Sequence, residues 1–182
     1  MTTTKEIVPV HFLTTGWTYW FDLGINQVFS TSGVTATPIY TTHSVEEFWG
    51  LYDSIEKQTT LPKGIDSFFF RSGIEPKTTE NGGKLQFNLQ INTSSKAEFA
   101  EDVWLKLMLS CIGETIPLRD KVNGVSFSLR SFAKLTVWLK TDKEDDLRKV
   151  ISFMRTTLNI PTSIDFHFFS HRGKNTTIKE LN

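Results

Sequence analysis

Cysteine is almost missing. Cys111 stands alone, so neither a disulfide framework nor a Cys-x-x-Cys metal site can form. Neither sign of charge is in excess: 20 Lys and Arg meet 20 Asp and Glu, for a formal net charge of zero. That balance argues against a globally basic duplex-DNA binder, yet leaves room for a local cation cluster facing a phosphorylated ligand. No apolar run approaches the roughly 18 residues of a membrane span. Met1 to Glu6 is polar and lacks the apolar stretch of a secretory leader. The expected compartment is therefore reducing, cytoplasm or nucleus, and the two Asn-x-Ser/Thr sequons at Asn92 and Asn175 read as chance.

Catalytic signatures are missing too. There is no glycine-rich phosphate loop, no His-Glu-x-x-His and no Gly-x-Ser-x-Gly elbow. His11, His43, His167 and His171 are scattered. Cys111 falls within an apolar helical stretch, as an inert core thiol would. Acidic pairs such as Glu46-Glu47 and Glu144-Asp145-Asp146 sit where helix N-termini favour negative charge. No enzyme, metal or cofactor is expected.

What the chain has in quantity is aromatic side chains, 13% of residues, with five Trp and fifteen Phe. Most belong in a core, since large rings bury the most area. Apolar alternation marks strands at Trp17 to Phe21, weakly at Val34 to Thr41, and at Asp66 to Ser72, Lys84 to Gln90 and Ser163 to Ser170. Val125 to Ser131 and Ala133 to Lys140 form a hairpin turning near Phe132. Ser44 with Glu47 three residues on makes a capping box and opens a helix to about Lys57. Two further helices run from about Lys96 to Ile112 and from about Lys143 to Leu158. The order implies one α+β domain over 9–173: a mostly antiparallel sheet with helices on one face, and short flexible tails at 1–8 and 174–182.

Two surfaces exceed what a core requires. The second helix is apolar around too much of its circumference. Val103, Trp104, Leu107, Met108 and Cys111 make one broad stripe, and Leu105, Leu109 and Ile112 a second beside it. Val45 and Trp49 stand at the margin of the first helix. Either the helices cover each other, or the strip receives an amphipathic helix from another protein. On the sheet, the face opposite the helices carries Arg130, Lys134, Trp138 and Lys84. A Trp among cations suits a planar phosphorylated ligand, or else lysine stems simply cover it.

Taken together, Ser44 to Ile55 ("SVEEFWGLYDSI"), Gly73 to Pro76 ("GIEP"), Gly82-Gly83, Val103 to Glu114 ("VWLKLMLSCIGE") and Leu135 to Lys140 ("LTVWLK") resemble the eukaryotic translation initiation factor 4E family. "GWTYWF" at Gly16 to Phe21 and "FFSH" at Phe168 to His171 resemble its first core strand and last strand end. The resemblance spans about residues 11 to 172. It implies an eight-stranded curved sheet with three helices on its convex back. It also implies a concave site for the 5′ cap of messenger RNA, 7-methylguanosine triphosphate or a modified cap. A dorsal site would take a helix of a 4G-like scaffold or a 4E-binding regulator. Neither membrane nor DNA is an implied partner.

By that resemblance the dorsal residues are His11, Leu13, Val45, Trp49, Leu105, Lys106, Leu109, Ile112 and Gly113. Phe12 stands where the family has Pro, and Lys106 where it usually has a Glu facing a basic partner residue. On the cap side, Arg130 and Lys134 match triphosphate-binding positions, Trp138 the ring touching the methyl group, and Lys84 an Arg behind the site. The two stacking Trp residues do not match. Thr78 and Thr79 occupy the positions of one Trp and the guanine-reading Glu, leaving Glu80 as the nearest acid and Phe29 as the nearest aromatic in the other loop. Losing two stacked rings costs roughly two to four powers of ten in affinity. The implied function is an atypical or weakened cap binder in translation initiation; the alternative is an interaction module or translational repressor that keeps only the dorsal site.

Overall fold

A computed structural model describes residues 9–24, 36–78 and 81–173, and the backbone of 175–178. Strands β1 (Phe12–Asp22), β2 (Thr37–Ser44), β3 (Asp66–Arg71), β4 (Gly83–Leu89), β5 (Val122–Leu129), β6 (Ala133–Leu139), β7 (Phe166–Ser170) and β8 (Asn175–Ile178) form one sheet. Their order is β2-β1-β3-β5-β6-β4-β7-β8, and every pairing is antiparallel. Helices α1 (Val45–Ser54), α2 (Ser94–Ile112) and α3 (Glu144–Thr157) interrupt the strands.

The alternation read from the sequence sets the two faces. Trp17, Tyr19, Phe69, Leu85, Phe87, Val125, Phe127, Leu135 and Val137 point to the helices and are buried. Phe48 of α1, Val103, Trp104, Leu107 and Met108 of α2, and Leu147, Val150, Ile151 and Met154 of α3 complete the same core. Each such side chain contributes about 1.5–3 kcal/mol on full burial, which is why one helix stripe is committed to the sheet.

Local signals fix the helix starts. Ser44 Oγ accepts from Glu47 N–H at 3.1 Å, while the Glu47 carboxylate reaches back to the His43 N–H. α2 starts earlier than its apolar periodicity suggests, because Thr93 caps it by accepting from Lys96 N–H. α1 ends at Ser54 rather than Lys57, and the chain continues into a 3₁₀ turn at Gln58–Thr60. At the start of α3, buried Asp146 accepts from Lys121 Nζ at 2.7 Å and from Thr141 Oγ1 at 2.8 Å.

Several strand boundaries differ from expectation; β1 begins at Phe12 rather than Trp17 and β5 at Val122 rather than Val125. β2 runs on to Ser44, so the strand leads directly into the N-cap of α1; Val34 and Thr35 lie outside the described residues. β7 begins at Phe166, because the Arg155 guanidinium gathers the carbonyls of Ile160, Pro161 and Ile164 and holds the preceding segment as a turn. The expected tail beyond 173 supplies β8, paired with β7 from Phe166↔Ile178 to Phe169↔Asn175. One glycine is dictated by space as well as conformation: Gly82 has φ +83°, and a Cβ there would lie 1.9 Å from the Leu139 carbonyl oxygen.

Candidate functional site

The cross-strand register maps the face that the helices leave open. One row reads Thr18, Phe70, Gly124, Trp138, Lys84 and Phe169. The next reads Trp20, Phe68, Ser126, Thr136, Gln86 and His167. The third reads Asp22, Asp66, Ser128, Lys134 and Asn88. Residues from distant parts of the chain thus meet because paired positions share a face.

Trp138 lies at the centre and is only 5% exposed. Its Nε1 donates to Ser126 Oγ at 3.0 Å. Phe70 and Phe68 meet it edge-on, with centroids 5.3 and 6.3 Å away. Lys84 Nζ sits 4.1 Å above the ring. Of the two readings of a Trp among cations, the covered one holds, with Phe68 and Phe70 joining Lys84 in covering it. β3 reads Phe68-Phe69-Phe70, so it supplies apolar rings to both faces, and the open face gains a small aromatic cluster of its own. Gly124 makes room for it, since a Cβ there would meet the Phe70 ring at 2.4 Å.

The cations do gather. Burial, and then the neighbouring Lys134 charge, lower the pKa of the Lys84 ammonium, with Asp66 opposing. Arg130 sits just past β5; its Nη1 donates to the Leu129 carbonyl at 2.7 Å, and its Nη2 lies 3.1 Å from Asp66 Oδ1. Asp66 thus holds Arg130 in place and tempers its charge. Thr78 is exposed on the loop after β3. Phe29, Thr79 and Glu80 lie outside the described residues. Among the described residues no group of three His, Cys, Asp or Glu could hold a metal ion.

The helix side keeps an apolar strip. Trp49 is 39% exposed and leans edge-on against Phe48 and Tyr52 of its own helix. Val45, Leu105 and Leu109 are partly exposed. Ile112 departs from the expected strip: at 9% exposure it faces the core. Gly113 closes α2 by donating to the Leu109 carbonyl at 2.9 Å. Leu13 packs against the core while His11 is exposed. The His11 carbonyl accepts from Val45 N–H at 2.9 Å, and its Nδ1 lies 2.6 Å from a Glu46 oxygen. That hydrogen bond is the main cause holding the Glu46 carboxyl down at about 2. Lys106 does not project freely, since its Nζ is 2.7 Å from Asp102 one turn back. Phe12, 81% exposed, stands beside His11.

Some structurally prominent residues were not singled out from the sequence. Arg71, at the end of β3, pairs with Glu114 just past α2 at 3.1 Å, with both side chains largely covered. Its guanidinium also lies 4.8 Å over the Trp17 ring and donates to the Val122 and Arg119 carbonyls. Beside α1, Phe21, Ile39, Ile55 and Leu61 line an apolar hollow of about 230 Å³. Phe68 and Asp66 could have been found from the alternation of β3, which leaves only Ser67, Phe69 and Arg71 on the helix side.

The family model described as eukaryotic initiation factor 4E matches residues 12–181. The chain belongs to that family. It is 32% identical to eukaryotic translation initiation factor 4E of Candida albicans over 178 residues, 94% of this chain and 85% of that protein. Identity to initiation factor isoform 4E of Solanum lycopersicum is 37% over 140 residues, 72% of this chain and 66% of that protein. Among solved structures, Ascaris suum eIF4E-3 in complex with m7G cap superposes with a TM-score of 0.81 at 21% identity, covering 95% of this chain and all of that one. Caenorhabditis elegans eIF4E-3 in complex with the 4E-binding protein Mextli gives 0.78 at 21% identity, covering 88% and 93%. These two likenesses establish the shared fold; the 4E assignment itself rests on the sequence matches.

Proposed function

We propose that this chain is a 4E-type translation initiation factor. Its open face takes the phosphorylated 5′ cap of messenger RNA, and its helix strip takes an amphipathic helix from a 4G-like scaffold or 4E-binding regulator. Supporting the first half is the convergence of Arg130, Lys134 and Lys84, from three strand segments, on one face around an aromatic floor. Supporting the second is the unburied apolar margin formed by Val45, Trp49, Leu105 and Leu109. The Ascaris suum and Caenorhabditis elegans neighbours were solved with a cap and with a 4E-binding protein respectively, in keeping with two such surfaces. The reading places the protein in the cytoplasm and assigns it no catalytic step.

Calorimetric titration with 7-methyl-GTP and with GTP at fixed moderate salt tests the open face. Measurable binding of the methylated ligand, weakened when Arg130 and Lys134 are both changed to Ala, is the expected result. No binding of either nucleotide overturns the cap half. A second reading, a protein that works through its helix strip alone, draws on two observations. Trp138 is enclosed, and Thr78 stands on the loop where a stacking ring would be needed. Translation in cells that is indifferent to the double Ala variant would favour it.

A further inference from the structure

We propose that Phe169 is the stacking platform for the first nucleotide beyond the cap: the base that follows the cap's triphosphate lies on its exposed ring. The inference rests on the cap reading of the open face and deepens it, because it extends the ligand from an isolated cap to a capped, unpaired RNA end.

Phe169 stands apart from the other rings of its strand. Phe166 and Phe168 belong to the core and are buried. Phe169 falls on the open face and is 38% exposed. Its cross-strand partner is Lys84, and Lys84 in turn is paired with Trp138, so the three stand in one row. Along the rows of that face Trp138 and Phe70 are buried, and Trp20 and Phe68 are half-buried. Phe169 is thus the one exposed ring there among the described residues. A phenyl ring left in water adds nothing to the core; covering it with a flat base removes that apolar area from water.

The cations lead to it. Arg130 sits just past β5, Lys134 on β6 and Lys84 on β4, and β7 is the next strand in the sheet. Strands lie about 4.8 Å apart, so Phe169 stands roughly 10 Å from the centre of the face at Trp138. Phosphates held by Lys134 and Lys84 therefore point toward β7, and in a capped RNA the far end of the triphosphate carries the first nucleotide. From Phe166 to Arg172 the chain has no carboxylate. Past β7 it adds the exposed Arg172, whose guanidinium donates to the Asn81 side chain. That corner favours the next phosphate of the strand. Every base has a π face, so a phenyl platform accepts any of them. With Trp138 enclosed and Thr78 on the loop where a ring would be needed, grip on the neighbouring nucleotide supplements a lean hold on the cap itself.

The test is calorimetry on the full chain and on Phe169→Ala and Phe169→Tyr, with thermal melting to show that each variant is folded. Two ligands are compared: 7-methyl-GTP, and 7-methylguanosine joined through a triphosphate to adenosine. The charge difference between them is the same for every variant, so it cancels when the ratio of their affinities is compared across variants. In Phe169→Ala that ratio is expected to shift against the dinucleotide by about five- to tenfold, the lower part of the range for one stacked base. Phe169→Tyr keeps a ring and is expected to retain the parent ratio. An unchanged ratio in Phe169→Ala, with both ligands still bound, overturns the inference while the cap reading stands. If neither ligand binds the parent chain, the cap reading fails and takes the inference with it.

Discussion

The helix strip and the open face are built by opposite routes. The strip draws mainly on α1 and α2, and residues three or four positions apart are neighbours on a helix automatically. The open face draws on β3, β4, β5 and β6, and its neighbours are set by pairing between strands far apart in sequence. A helical surface tolerates change at one position because the rest keep their geometry. A cross-strand surface changes character when one facing residue changes, as Phe68 and Lys84 do here by enclosing Trp138. Within one domain, partner capture and ligand reading therefore answer to different constraints.

That contrast can be broken most sharply at Trp49. Its indole is exposed enough that Trp49→Ala should leave thermal stability nearly intact. Binding of a helix carrying the family's Tyr-x-x-x-x-Leu-hydrophobic motif should fall by about 30-fold or more, as for an aromatic hot spot. Full-strength capture by the variant would mean the strip is not the docking surface. On the other side, changing Arg130 and Lys134 together to Ala should weaken 7-methyl-GTP and GTP alike by about ten- to a hundredfold. It should also flatten the dependence of affinity on salt. A selective loss of the methylated ligand would show that these cations read the base rather than the phosphates.

The join between the two regions gives a third prediction. Arg71 precedes the loop that begins at Gly73, and Glu114 follows the C-terminus of α2. Leaving Arg71 without its partner in Glu114→Ala should cost about 3 kcal/mol in chemical denaturation. A negligible loss would show that the main-chain acceptors alone hold the guanidinium. The smallest effect concerns His11 and Glu46. The Glu46 pKa is depressed from 4.5 to about 2, so its contribution is complete above pH 4.5 and fades as pH falls toward 2. Comparing melting curves with Glu46→Gln should show a slight loss of stability at and above pH 4.5 that closes as pH falls toward 2. A difference that stays constant or grows as pH falls to 2 would contradict the assignment.

Much of the framework was legible because periodicity is a local property. Val103, Leu107 and Cys111 announce the buried side of α2, and Leu85, Phe87 and Leu89 that of β4. The open face was only half legible. Alternation correctly put Arg130, Lys134, Lys84 and Trp138 opposite the helices, but could not say that Phe68 and Phe70 would be brought beside Trp138. Only the register between β3, β5 and β6 decides that. Lys106 shows the same limit in miniature. Its sign was evident, yet its pairing with Asp102 makes it a satisfied charge on its own helix rather than an open invitation to an acidic partner. β8 escaped because the stretch after Gly173 is mostly polar, and an edge strand held by main-chain pairing needs no apolar alternation.

That polar edge strand has a consequence for handling the protein. β7 carries Phe169, still 38% exposed, and its outer ladder is occupied by β8. A truncation after Gly173 would remove β8. It would leave a row of vacant amides and carbonyls beside an exposed ring, the kind of margin on which chains stack and precipitate. A shortened form that melts normally but falls out of solution would be telling us about its seam, not its core.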